Sequence, residues 1–319
     1  MTFTTRRSGR WARQLATAGV ALVAIFLLAS VVGARIVVAG SRGAFAVPAS
    51  AISHHHLDLT FSSRVDHVRL SGWLFRAEHP TGRSVILVHG WQANREDVDF
   101  VAMTRQLLSR GYDVLMFDLR GSGLSMGSNQ TLAHNEPRDL LGAYDQMLSL
   151  GYLPGQMTIL GNSMGAATVI EAAPELAAVG ALVADSAFAD LSSAMEGGLT
   201  RYTLLPGVLA MPAIEVSRAF GVLPSLSPVD VVRSLPNRAF LFLQARGDPL
   251  LGVANADQLF AASSNQESRL DVIAGHDHMD TFTHNPTQYM AALLSFIEGQ
   301  LGPPPGAAAE RQGDVFSRS

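Results

Sequence analysis

Apolar residues follow two rhythms along most of this chain, and one long apolar block precedes both. The block is Leu15–Ala34, 20 residues without a charge. As a helix it covers about 30 Å, the thickness of a bilayer core. Beyond it, Leu57-Asp-Leu-Thr-Phe61 and Val68–Phe75 alternate with period two and predict a β-hairpin or meander. Short apolar runs then follow at Ser84–Val88, Asp113–Phe117, Met157–Leu160, Gly180–Ala184, Arg238–Gln244 and Arg269–Ile273. Such runs suit strands covered on both faces of a parallel sheet. Between them lie helical patterns at Arg95–Arg110, Glu136–Leu150 and the segment ending at Ala173, and Pro286–Gln300 follows the last run. Gly111, Gly151 and Pro174 stop the first three. The alternation predicts an α/β fold: a mostly parallel central sheet with helices on both faces. Residues 188–236 break the rhythm, carrying Pro206, Pro212, Pro224, Pro228 and Pro236 between two strands. They are too long for a simple connection and predict a small helical cap over the site.

Charge adds orientation to this picture. Arg6, Arg7, Arg10 and Arg13 precede the apolar block, and only Arg35 and Arg42 follow it closely. That bias places the N-terminus in the cytoplasm. The expected organisation is a basic cytoplasmic segment (1–14), a transmembrane signal anchor (15–39), a linker (40–56), a catalytic domain (57–300) with the 188–236 cap, and a disordered tail (301–319). The catalytic domain is then extracytoplasmic. The alternative is cleavage after Ala44-Phe-Ala46 and secretion. The whole chain carries a net charge of −4, which argues against a nucleic-acid partner. The His54-His-His56 triplet reads as a solvated linker patch. Cysteine and lysine are both absent. A thiolate nucleophile, a Ser-Lys dyad and a Schiff base are therefore excluded.

Candidate chemistry centres on Gly161-Asn-Ser163-Met-Gly165, which joins an apolar run to a helical pattern. This G-x-S-x-G pattern marks a nucleophile on a sharp strand-to-helix turn, where flanking side chains have no room. A second match, Gly123-Leu-Ser125-Met-Gly127, lies in a glycine-broken loop with no helix behind it. It predicts a surface-loop serine. A serine nucleophile needs a base, an orienting acid and oxyanion donors, and strand C-terminal ends are where to seek them. The final strand leads into Ala274-Gly-His-Asp-His278-Met-Asp280. His278 is the preferred base there, with His276 as the alternative. The preceding strand leads to Gly247-Asp248, so Asp248 is the expected acid and Asp185 the runner-up. His89-Gly90-Trp91 follows the first central strand. The backbone N–H groups of Trp91 and Met164 are the expected oxyanion donors, and His89 is expected to bond structurally under its loop. His276-x-His278-x-Asp280 resembles part of a metallohydrolase box, but Thr281 stands where its closing histidine belongs. No metal or cofactor is expected.

Over about residues 57–300 the chain resembles the α/β-hydrolase superfamily. The likeness rests on His89-Gly90, Asp118-Leu-Arg120-Gly-Ser-Gly123-Leu-Ser125, Gly161–Gly165, Asp185-Ser-Ala-Phe, Gly247-Asp248 and Ala274-Gly-His-Asp-His278. The order Ser163, Asp248, His278 is that of the family's triad. Phe282, Asn285-Pro286 and Tyr289 line up behind His278 as in many relatives, with Ala274 replacing the usual proline. The resemblance, closest to carboxylesterase and prolyl-oligopeptidase-like enzymes, implies an α/β-hydrolase fold. It also implies a serine hydrolase that cleaves a carboxylic ester or related acyl bond of a small-molecule substrate. Acyl transfer or peptide cleavage by the same triad, or a non-catalytic tethered binding protein, are the alternatives.

Overall fold

The structure is a computed structural model and describes residues 5–42, 46–203, 206–220, 223–302 and 304. Its strands are β1 (His56–Ser62), β2 (Arg69–Phe75), β3 (Arg83–Val88), β4 (Tyr112–Phe117), β5 (Met157–Asn162), β6 (Ala181–Asp185), β7 (Phe240–Ala245) and β8 (Arg269–Ile273). Its helices are α1 (Thr5–Val37), α2 (Ala49–Ile52), α3 (Val98–Leu108), α4 (Glu136–Ser149), α5 (Met164–Ala172), α6 (Leu191–Thr203), α7 (Met211–Ala219), α8 (Pro228–Ser234), α9 (Gly252–Ala262), α10 (Thr281–His284) and α11 (Pro286–Leu301). The strands form one sheet in the order β1-β2-β4-β3-β5-β6-β7-β8. β1 and β2 are the expected antiparallel hairpin, and β2 pairs antiparallel with β4. The remaining pairs are parallel.

Alternation along the central strands divides the core. Ile86 and Val88 of β3 face a cluster with α4, α5, α8 and α9, whereas Val85 and Leu87 face one with α3 and α11. The chain leaves β3 for β4 on one side and returns to β5 on the other. That reversal brings the loop after Val88 beside the loop after Asn162, at the sheet's carboxyl edge.

Three segments depart from expectation. Helix α3 starts at Val98, not Arg95, because the Asp97 carboxylate caps it by accepting from Asp99 N. Arg95 is instead fully buried, its guanidinium 2.6 Å from Asp118 and stacked over Trp73. Residues 40–56 were expected to form a free linker, yet much of the segment is fastened to the body. Ala39 and Ser41 bridge to Asn129 and Ser122, and Glu96 accepts from the amides of Ala46 and Val47. Ala49 and Ile52 of α2 are buried. Within the 188–236 insertion, α6 and α7 cover the site, but α8 packs on α5 and α9 of the body. The cleavage motif around Ala44-Phe-Ala46 and the tail beyond Pro304 lie largely outside the described residues.

From Trp11 to Val37, α1 is long and apolar enough to cross a membrane by length and composition. Most of it is exposed, but its last turns lie on the body, where Ala34 and Val38 are buried in the core.

The Arg95–Asp118 pair tests how much the buried loops depend on charge. Asp118 also accepts from the amides of Arg95 and Leu124. Asp118→Ala leaves a buried guanidinium uncompensated and is expected to cost about 3–5 kcal/mol in a denaturant titration. Arg201→Ala, which removes an exposed pair with Asp277, is expected to cost no more than about 1 kcal/mol.

Candidate active site

The site is built on backbone packing at the end of β5. A Cβ on Gly161 would collide with the carbonyl of Gly165, and one on Gly165 with the carbonyls of Val88 and His89. With both positions bare, the chain turns from β5 into α5 within one residue. Ser163 occupies that residue at φ 52° and ψ −117°, a conformation that L side chains rarely adopt. Its amide donates to Asp185 O at 2.8 Å, which ties the turn to the end of β6. The neighbouring loop passes close above: a Cβ on Gly90 would lie 3.3 Å from Ser163 Cβ.

Two loops complete the site. Ser163 Oγ lies 2.8 Å from His278 Nε2, and His278 Nδ1 lies 2.8 Å from Asp248 Oδ2. The carboxylate also accepts from Gln244 Nε2 and from the amides of Leu250 and Leu251. An ionised carboxylate accepts only, so Nδ1 carries the proton and Nε2 is left to accept from the Ser163 hydroxyl. Burial pushes the Asp248 carboxyl up. His278 and the two amides outweigh that push and hold it below its ordinary value.

The alternatives sit elsewhere. His276 is exposed, donates its amide to Asp280, and sets its ring edge against His284. Asp185 is fully buried and accepts from the hydroxyls of Ser186 and Thr281. Burial raises its carboxyl to about 6. Ser125 departs from expectation: it is completely buried rather than on the surface. Its hydroxyl donates to Asp118 O and accepts from Ser71 N, so it satisfies two backbone groups of a folded-in loop. His89 is also buried. Its Nε2 accepts from Leu119 N, leaving Nδ1–H for Gly90 O, and burial lowers its pKa, favouring the neutral ring.

Met164 opens α5, so its amide belongs to the first turn, which lacks intrahelical partners. Trp91 flanks the same space, and its indole Nε1 donates to Val37 O at the end of α1. Sequence reasoning missed this contact, because nothing in an apolar block tells which face meets protein. A cavity of about 520 Å³ opens onto Ser163, walled by the body, by α6 and α7, and by α1.

A strained serine between a central strand and a helix, beneath a histidine from the last loop, defines the α/β-hydrolase class of site. Residues 85–297 match the model of the alpha/beta hydrolase family, and the chain belongs to that family. Among curated proteins it is similar to the uncharacterized protein YqkD of Bacillus subtilis (strain 168), 24% identical over 230 residues, covering 70% of this chain and 73% of that protein. Among solved structures, the Pyrococcus furiosus esterase Pf2001 superposes with a TM-score of 0.69 at 24% identity, over 83% of this chain and 100% of that one. The esterase domain of a Rhodothermus marinus protein superposes with a TM-score of 0.57 at 21% identity, over 77% and 100%. At these identities the likeness is one of fold.

The depressed Asp248 carboxyl contributes stability that is present above its unfolded value near pH 4 and lost as pH falls through its folded value. Asp248→Asn is therefore expected to melt lower than the parent at pH 7. The gap should shrink as pH drops below about 4, as followed by circular dichroism melts across that range.

Proposed function

We propose that this chain is a membrane-anchored serine hydrolase that cleaves a carboxylic ester or related acyl bond. The observation that carries the reading is the continuous relay from Ser163 Oγ through the His278 ring to Asp248, with both links at 2.8 Å. Ser163 Oγ attacks the substrate carbonyl while its proton passes to His278 Nε2. Asp248 fixes the ring and stabilises the imidazolium that forms. The carbonyl oxygen, now an oxyanion, takes hydrogen bonds from the amides of Met164 and Trp91; each such donor is worth about 3–4 kcal/mol in the transition state. His278 then protonates the departing alcohol, leaving the acyl group on Ser163. Water, deprotonated by the same ring, releases the acid. Every step uses this chain's own residues.

The anchor reading draws on the way α1 ends. Cleavage after Ala46 would strip the buried Ala34 and Val38 from the core and remove the Val37 carbonyl from Trp91, the residue of the proposed oxyanion loop. An uncleaved helix keeps these contacts, with the four N-terminal arginines on the cytoplasmic side and the catalytic body outside.

Ser163→Ala is expected to lower hydrolysis of p-nitrophenyl butyrate by about 10⁴-fold or more and to abolish labelling by a fluorophosphonate probe. Ser125→Ala is expected to keep the label. Turnover surviving in Ser163→Ala but not in Ser125→Ala reverses the assignment, and a folded parent that takes no label favours a binding protein.

A further inference from the structure

The cavity above Ser163 has one wall that belongs to α1. Ala29, Ser30, Gly33, Ala34 and Val37 line it, a spacing of one, three or four residues that keeps them on a single helix face. Leu28, Val32 and Ile36 point away and are exposed. Among the described residues, none that lines the cavity is charged. The Ser30 hydroxyl donates to Phe26 O and the Ser217 hydroxyl to Ala213 O, so both are spent on helix carbonyls. Ser163 therefore sits at the end of an apolar chamber. Of the lining residues, Ala29, Gly33 and Trp91 are exposed, which sets the chamber's opening alongside α1. From Ala29 to Val37 the helix rises about 12 Å. The chargeless block Leu15–Ala34 ends among these lining residues, which sets the chamber's opening at the outer end of the stretch that would fill a bilayer.

We propose that the substrate is an acyl ester resident in the outer face of the membrane. Its acyl tail enters past Ala29 and Gly33 and lies along the inner face of α1, with its carbonyl at Ser163. This rests on the serine-hydrolase and anchor readings and deepens both. The anchor is then part of the acyl-binding pocket as well as the tether. The 12 Å run holds a chain of roughly eight to ten carbons. Reaction at Ser163 transfers that acyl group from the ester alcohol to the serine, and water releases it as the free acid. Apolar burial makes each added methylene raise kcat/KM by about fourfold until the chamber is full.

The test uses the full-length protein in detergent and in vesicles. A Cβ at Gly33 meets nothing within 4 Å, so a larger side chain there enters open space. Gly33→Leu, with Ala29→Leu as a second variant, is expected to cut the decanoate-to-butyrate ratio of kcat/KM for p-nitrophenyl esters by tenfold or more. Fluorophosphonate labelling should show that the site is still assembled. Ala24→Leu, an exposed position one turn before Leu28 on the outward face, adds the same bulk as Ala29→Leu and is expected to leave the ratio within twofold of the parent. In diether phosphatidylcholine vesicles carrying dioctanoylglycerol, the parent is expected to release octanoate, and Gly33→Leu tenfold less. A ratio that Gly33→Leu and Ala29→Leu leave unmoved overturns the α1 wall. Turnover of soluble p-nitrophenyl octanoate without release from vesicles overturns the membrane source. Butyrate turnover that survives Ser163→Ala defeats the underlying hydrolase reading instead, so the failures are distinguishable.

Discussion

Contact between bare backbones is the constraint on which the site depends. β5 and α5 can meet at a one-residue turn only because Gly161 and Gly165 put no side chain between them. Gly165 also lets α5 settle against the carbonyls of Val88 and His89. With both neighbours fixed, Ser163 has no relaxed conformation available, and its backbone is held at φ 52°. Such strain costs of order 1–3 kcal/mol and persists only where the surroundings over-determine it. Here the surroundings are a sheet buried on both faces, with β3 and β6 flanking β5. Stability in the core is thereby converted into a hydroxyl aimed at the carboxyl edge of the sheet. The first turn of α5, with its unpartnered amides, begins one residue later.

Two buried carboxylates flank this turn, and their surroundings separate their roles. Asp248 lies within the loop after β7, where Gln244 and the amides of Leu250 and Leu251 already point at it, and the imidazole completes the set. It is held ionised. Asp185 lies deeper, with hydroxyl partners in place of the ring, and its carboxyl rises to about 6. Its backbone carbonyl receives the Ser163 amide while its side chain receives Thr281, the first residue of α10. One residue thus braces both the serine turn and the loop that carries His278. It does so without bonding to the Ser163 hydroxyl or the His278 ring.

Much of this was legible because local pattern and global fold agree. Central strands buried on both faces must be apolar throughout, so β3 through β7 announce themselves, and glycine or proline marks where several helices stop. The elbow was legible because steric exclusion demands glycine at two fixed positions around the serine. What stayed hidden is what depends on tertiary partners. Arg95 reads as the start of a helix, and only the burial of Asp118 explains why it turns inward. Ser125 reads as a surface serine because a polar loop is normally exposed, whereas this loop folds inward and uses the hydroxyl to satisfy its own backbone. Residues 40–56 look like a tether because their anchorage comes from backbone bridges and from Glu96, which composition does not reveal.

The apolar block illustrates the same limit most sharply. A helix that faces lipid and a helix that faces a greasy cavity require the same residues, so hydropathy alone cannot tell one surface from the other. Size carries the missing information. The face of α1 turned toward Ser163 holds four small residues, Ala29, Ser30, Gly33 and Ala34, and ends at Val37, while Leu28, Val32 and Ile36 point away. Small side chains on the inner face keep the chamber open, and large ones on the outer face present apolar surface where lipid would cover it. Exposed to water, that outer face would be costly; against lipid it costs nothing. The asymmetry supports the proposal that both faces of α1 are in use, one against the bilayer and one against an acyl chain. The carbonyl of Val37, bonded to Trp91, marks the point where α1 meets the loop after β3.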